Sequence, residues 1–191
     1  MQHILKNLVT LTGASQQDFR LLKDAAPYLF DWTPVIAKQY YDILFSNLPK
    51  DAAPSAEERR KLERELDGWM KKIITNNMDN EFWREQWKRG LVHIKAKTSI
   101  HMVLGMISRI QLLFLYICVN EFELKQARKV YGAFKRVTDL VAGIFAESYF
   151  ENYLGAVGTA TGVRKKLLER EIFVEVDKMI GQVRGELEKE S

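Results

Sequence analysis

The chain has 191 residues, of which 47% are hydrophobic, and this suits one globular domain with a sizeable core. Its 29 basic and 25 acidic residues are interleaved, a pattern typical of solvated helix faces that argues against a nucleic-acid-binding surface. The lone cysteine, Cys118, excludes an internal disulfide, and its apolar sequence neighbours predict a buried thiol in a reducing compartment.

The first part of the chain is predicted to form helices separated by prolines. Ser15 with Asp18 is typical of a helix start, and Thr33 before Pro34 predicts another, because threonine caps helices and proline suits their first position. Ser55 begins a longer helix with the strongest amphipathic pattern in the chain. Its apolar residues recur every three or four positions and predict one buried stripe, made of Leu62, Leu66, Trp69, Met70, Ile73 and Ile74.

The rest of the chain contains no proline and is predicted to form longer helices. A helix with Trp83 and Trp87 follows the turn TNNMDN, and two more cover about 99–120 and 124–153. The glycine-rich segment 155–162 is expected to be a connector that leads into an amphipathic helical tail. No segment alternates strictly as an exposed strand would, so the predicted fold class is all-α.

The apolar run 100–119 is long enough to cross a membrane. Arg109 lies near its centre, however, and an arginine there costs roughly 3 kcal/mol. We therefore expect a core or subunit-interface helix and no membrane span. The N-terminal end lacks the apolar run of a secretory signal peptide, which favours a cytoplasmic protein.

His93 is the main candidate for chemistry, because glycine-rich phosphate loops, CxxC pairs, HExxH motifs and glycine-elbow serines are missing from the sequence. It is one of three histidines and lies on a helix otherwise rich in apolar and aromatic residues. Gly90, three positions earlier, would let a flat group approach the helix closely. The residues alone leave two interpretations open: an axial ligand of haem iron, or a hydrogen-bonded core histidine.

The order of several short motifs resembles the globin domain of globin-coupled sensors and protoglobins. The similarity covers about residues 15–155. It rests on an aromatic pair followed by aspartate, a tryptophan-bearing helix, the pattern G-x-x-H and a further glycine, which here are Tyr40-Tyr41-Asp42, Trp69, Gly90 to His93, and Gly105. The resemblance implies an all-α globin fold with an extra N-terminal helix and a C-terminal helical tail.

The resemblance also implies a b-type haem whose iron has His93 as its proximal ligand. It places Tyr41 on the distal side, where its hydroxyl would donate a hydrogen bond to the gas. The alternative for Tyr41 is a core tyrosine bonded to a backbone carbonyl. Leu66, Trp69 and Met70 would form the distal wall, and Gly90 would contact the cofactor, although the first three would equally serve a helix-packing core.

Two positions depart from the family pattern. Met102 and Val103 stand where relatives often have a tryptophan-tyrosine pair, so a second hydrogen bond in the distal pocket is not expected. His101 lies in the same stretch, and we expect it to have a surface or structural role.

The predicted function is reversible binding of O2 or another diatomic gas (CO or NO), with sensing favoured over storage. The globin domain would cover 1–160 and the tail 161–191, as a single-domain sensor globin or a sensory fragment of a longer protein. A homodimer through the last long helices is expected. The alternatives are a haem-free interaction module and a haem enzyme such as an NO dioxygenase or peroxidase; the enzyme is disfavoured because no distal histidine or arginine is evident.

Overall fold

Helices account for nearly all of the computed structural model, which describes residues 2–46, 49 and 53–190, with side chains up to residue 184. Within this part of the chain there are eight helices and no strand. They are α1 (Gln2–Thr12), α2 (Gln16–Leu29), α3 (Trp32–Ser46), α4 (Ala56–Thr75), α5 (Asn80–Lys95), α6 (Ile100–Glu121), α7 (Leu124–Thr161) and α8 (Lys165–Glu190). The all-α prediction is confirmed.

The predicted helix starts are confirmed at two positions and wrong at a third. Ser55 accepts a hydrogen bond from the Glu58 backbone N–H at 3.2 Å, and the Glu58 carboxylate accepts one from Ser55 N–H at 2.8 Å. Asp18 likewise accepts from Ser15 N–H at 2.8 Å. Thr33, by contrast, lies inside α3, because its hydroxyl donates to Asp67 Oδ1 at 2.5 Å on α4 instead of capping its own helix.

The long helix α7 forms the centre of the core. It packs against α1, α2, α5 and α6, while α3 packs against α4 and α6. Phe114 of α6 stacks on Phe134 of α7 with ring centroids 3.8 Å apart. Cys118 is fully buried, as predicted, and burial raises the pKa of its thiol to about 12.

The expected connector at 155–162 is wrong, because α7 continues through most of it to Thr161. The helix ends where Gly162 adopts the left-handed conformation, with φ 72°. From Glu169 to Arg184 every side chain of α8 is exposed, so up to Arg184 this helix is packed only near its start.

One described helix, α6, is long and apolar enough to cross a membrane, judged by length and composition. In its most apolar stretch 33% of the residues are buried. It packs against α3 and α7 through Val103, Ile107, Ile110 and Phe114. Several apolar side chains on its other face are exposed, namely Met102, Leu104, Tyr116 and Val119.

Candidate functional site

One pocket of about 170 Å³ brings together four of the six predicted site residues. We call it the His93 pocket. It is lined from α3 by Tyr41, from α4 by Leu62, Glu65, Leu66 and Trp69, from α5 by Arg89 and His93, from α6 by Met106 and from α7 by Phe145. Residues 52 positions apart in the chain, Tyr41 and His93, thus face the same space.

The orientation of His93 is set by the contact between α5 and α7. Gly90 faces Ser148 of α7 so closely that a Cβ on Gly90 would lie 2.3 Å from Ser148 Oγ. The Ser148 hydroxyl donates to the Trp87 carbonyl at 2.5 Å, which fixes the two helices together. Three residues after Gly90, the His93 ring lies edge-on to Phe145, with ring centroids 5.9 Å apart.

The His93 imidazole is half-buried and forms no hydrogen bond with any other described residue. Burial lowers its pKa, and the nearby positive charge of Arg89 lowers it further. Both effects favour the neutral ring, the form in which an imidazole nitrogen can ligate a metal. The interpretation of His93 as a hydrogen-bonded core histidine is therefore not supported by its contacts.

Tyr41 is buried and held by aromatic neighbours. Its ring stacks on Phe45 with centroids 5.3 Å apart and meets Tyr40 edge-on at 5.0 Å. Its hydroxyl has no hydrogen-bond partner among the described residues. Burial raises its pKa to about 12, helped by Tyr40, Glu65 and Glu63. The phenol is thus a neutral donor at the wall of the pocket.

The remaining predicted wall residues divide into two groups. Leu66 and Trp69 line the pocket, and the Trp69 indole N–H donates to Gln86 Oε1 at 3.1 Å, which connects α4 to α5. Met70 and Gly90 do not line it: Met70 is fully buried in the core, and Gly90 faces α7. The need for glycine at position 90 thus arises from helix packing, and room for a flat ligand does not explain it.

Several lining residues were not predicted from the sequence. Neither Arg89 nor Glu65, which belong to charged stretches, was predicted as a site residue, yet both border the pocket. Arg89 lies one helical turn before His93, and this spacing could have revealed it. Met106 and Phe145 come from distant helices and carried no local signal.

A second pocket of about 260 Å³ lies beside the first between α3 and α6. Met106 lines both pockets, and Gly105, part of the sequence motif, lines the second one. His101 is exposed at the start of α6, within 3.2 Å of Ser99 Oγ, as expected for a surface residue.

Comparisons with known proteins concern the family and the fold. The family model described as Protoglobin matches residues 2–154. The solved structure of the globin domain of a Geobacter sulfurreducens globin-coupled sensor is similar, with a TM-score of 0.65 and 21% identity; the match covers 75% of this chain and 96% of that one. No curated protein sequence matches the chain. At this identity the structural likeness concerns the fold, which is an all-α globin fold.

Proposed function

Because the chain belongs to the protoglobin family, we propose that its globin domain binds b-type haem and reversibly binds O2 or another diatomic gas as a sensor. The observation that carries the proposal is the His93 imidazole, which faces the pocket with no hydrogen-bond partner among the described residues and with its neutral form favoured. A histidine in that state is suited to be an axial ligand.

The residues around the pocket fit an iron porphyrin. The walls are mainly apolar, and one imidazole suffices because the porphyrin supplies four nitrogens. At about 170 Å³ the pocket is smaller than ordinary ligand pockets, so its walls must separate to admit the group. The interface between α4 and α5 can allow this, because these helices make little backbone contact and are joined by the Trp69–Gln86 hydrogen bond and a Lys72–Glu85 ion pair.

Each pocket residue then has a defined part. Haem would supply the iron that takes up the gas, and His93 would hold that iron from α5. The Tyr41 hydroxyl would donate a hydrogen bond to the gas, since its high pKa keeps it protonated. Leu66 and Trp69 would exclude water from the gas-binding side.

Sensing requires that gas binding alters a surface that another molecule contacts. We propose that this surface is a homodimer interface formed by α6 and α7. Support comes from the exposed apolar side chains Met102, Tyr116 and Val119 on α6 and Phe150 and Tyr153 on α7, because such residues are typical of protein interfaces. Analytical ultracentrifugation of the wild-type protein tests this, and a monomer at micromolar concentration would contradict it.

The haem assignment is tested by substituting His93→Ala and reconstituting the protein with haemin. We expect the wild-type protein to show a Soret band, and the variant to lose haem or to show a changed iron spectrum that added free imidazole restores. His101→Ala is the matched control, because this exposed histidine lies outside the pocket. The spectrum of this variant should equal that of the wild-type protein. A His93→Ala protein with full haem content and an unchanged spectrum would exclude His93 as the ligand.

A further inference from the structure

Two side-chain polar atoms that are themselves shielded from solvent have no hydrogen-bond partner among the described residues, and both belong to α5. They are Gln86 Nε2 and Arg89 Nε. Gln86, Arg89 and His93 follow one another at spacings of three and four, so they share one face of the helix. Since buried donors almost always have acceptors, this face of α5 lacks an acceptor that a bound group could supply.

Arg89 in particular has no carboxylate of a described residue within hydrogen-bonding distance. Its nearest ion-pair partner, Glu85 Oε1, lies 3.9 Å from the guanidinium, and the same oxygen already accepts from Lys72 Nζ at 2.7 Å. Arg89 lines the His93 pocket, and its side chain remains 36% exposed although its Nε is buried.

Leaving the Nε of a half-buried guanidinium without an acceptor is costly. Burial lowers the pKa of Arg89, although Glu85 and Glu65 partly offset this effect. An anion beside Arg89 would offset the cost of this desolvation by attraction and hydrogen bonding. The planar fork of a guanidinium matches a carboxylate with two parallel hydrogen bonds, which makes a carboxylate a suitable partner.

We propose that Arg89 is a haem-positioning residue that binds a carboxylate at the polar edge of the porphyrin. The inference rests on the proposed haem function and adds the residue that holds the cofactor's acidic edge. Haem carries its two carboxylates on one edge and is otherwise apolar, so Arg89 beside mainly apolar lining residues fits this group. Because Arg89 lies one turn before His93, one helix holds both the iron and this edge and fixes the rotation of the ring in its plane.

The experiment compares Arg89→Gln with wild type by the rate at which ferric haem transfers to excess apomyoglobin. Loss of a charged hydrogen bond predicts about tenfold faster haem loss from the variant. The same measurement is repeated with haem dimethyl ester, whose carboxylates are blocked. With the ester, wild type and Arg89→Gln should lose the group at equal rates.

Two further variants sharpen the comparison. Arg84→Gln removes the same charge from the same helix outside the His93 pocket, so its rate should equal the wild-type one. Arg89→Lys keeps the charge without the fork and should give an intermediate rate. Circular dichroism of each haem-free protein establishes that the fold is intact.

Equal rates for wild type and Arg89→Gln with ordinary haem would overturn the inference while leaving the proposed function standing. A defect of Arg89→Gln that is as large with the ester would also overturn it, because Arg89 would then act on protein structure. A wild-type protein that binds no haem would instead overturn the proposed function, and the inference with it.

Discussion

At the scale of single residues, we expect the Tyr41 hydroxyl to have the largest effect on the rate at which the bound gas dissociates. Replacing Tyr41 with Phe removes a donor that faces the pocket and leaves the aromatic packing on Phe45 in place. We expect the O2 dissociation rate of the reconstituted protein to rise by about tenfold, since a lost hydrogen bond to a polar ligand is worth roughly that factor. Stopped-flow or flash photolysis measures the rate.

Tyr40→Phe is the matched control, because Tyr40 lines the neighbouring pocket and should leave the rate unchanged. The pKa of Tyr41, about 12, adds a pH test. Since the phenol stays protonated well below that value, the wild-type rate should be constant from about pH 7 to about pH 10. A rate that changes tenfold within this range, or one that Tyr41→Phe leaves unchanged, would contradict the role of the hydroxyl.

Four of the pocket residues, Tyr41, Leu66, Trp69 and His93, were expected from the family resemblance, and helical spacing accounts for two of them. Leu66 and Trp69 lie on the stripe that faces the pocket, whereas Met70 is one position further round the helix and points into the core. Arg89 was missed because a charged residue is ordinarily exposed, and only the tertiary structure shows that its Nε is buried. Phe145 contacts His93 across 52 residues of chain, which no periodicity can indicate.

At the scale of helices, the contact of α5 with α7 orients His93, and Gly90 makes that contact possible. Gly90→Ala would place a Cβ 2.3 Å from Ser148 Oγ, so the helices must move apart. We expect this variant to lose about 1–3 kcal/mol in the free energy of unfolding and to bind haem less tightly, because His93 moves with α5. Urea denaturation of the haem-free protein measures the first effect and haem titration the second.

Gly68→Ala is the matched control within α4, because no atom lies within 4 Å of the added Cβ. This change should stabilise the protein by about 0.5–1 kcal/mol, since alanine is the better helix former. If both variants had the same free energy of unfolding, the close approach of α5 to α7 would not be the reason for glycine at position 90.

The order and approximate extent of the helices follow from the sequence, but their ends depend on tertiary contacts. Thr33 has the residue type of a cap, yet its hydroxyl bonds to Asp67 of α4 and α3 begins before it. The glycines at 155–162 were expected to end α7 early. Instead, α7 continues past them to Thr161. A Cβ added to Gly158 would lie 3.0 Å from the Val163 carbonyl oxygen, so this glycine allows the chain after α7 to pass close to the helix.

At the scale of the whole molecule, α8 is attached differently from the other helices. Its contacts with α7 are near its start, where Lys165 pairs with Glu151 and Leu168 packs near Gly158. Farther on, large apolar side chains such as Ile172, Phe173 and Ile180 are exposed. The body formed by α1 to α7 therefore owes little of its stability to α8, and the predicted division near residue 160 can be tested on this basis.

Removing residues 163–191 should leave the thermal midpoint of the haem-free protein within about 2 °C of the wild-type value. The reason is that buried apolar area determines most of the stability, and α8 buries little of it. Removing residues 2–12 is the comparison deletion, for which we expect a clear fall in the thermal midpoint. Leu8 of α1 lies against α7, where a Cβ on Gly143 would be 2.5 Å from Leu8 Cδ2, so this deletion opens the core and should lower the midpoint by more than about 5 °C. Differential scanning calorimetry measures both. A fall of similar size on removing α8 would mean that α8 packs along the body in solution, and its apolar side chains would then belong to the core of the globin domain.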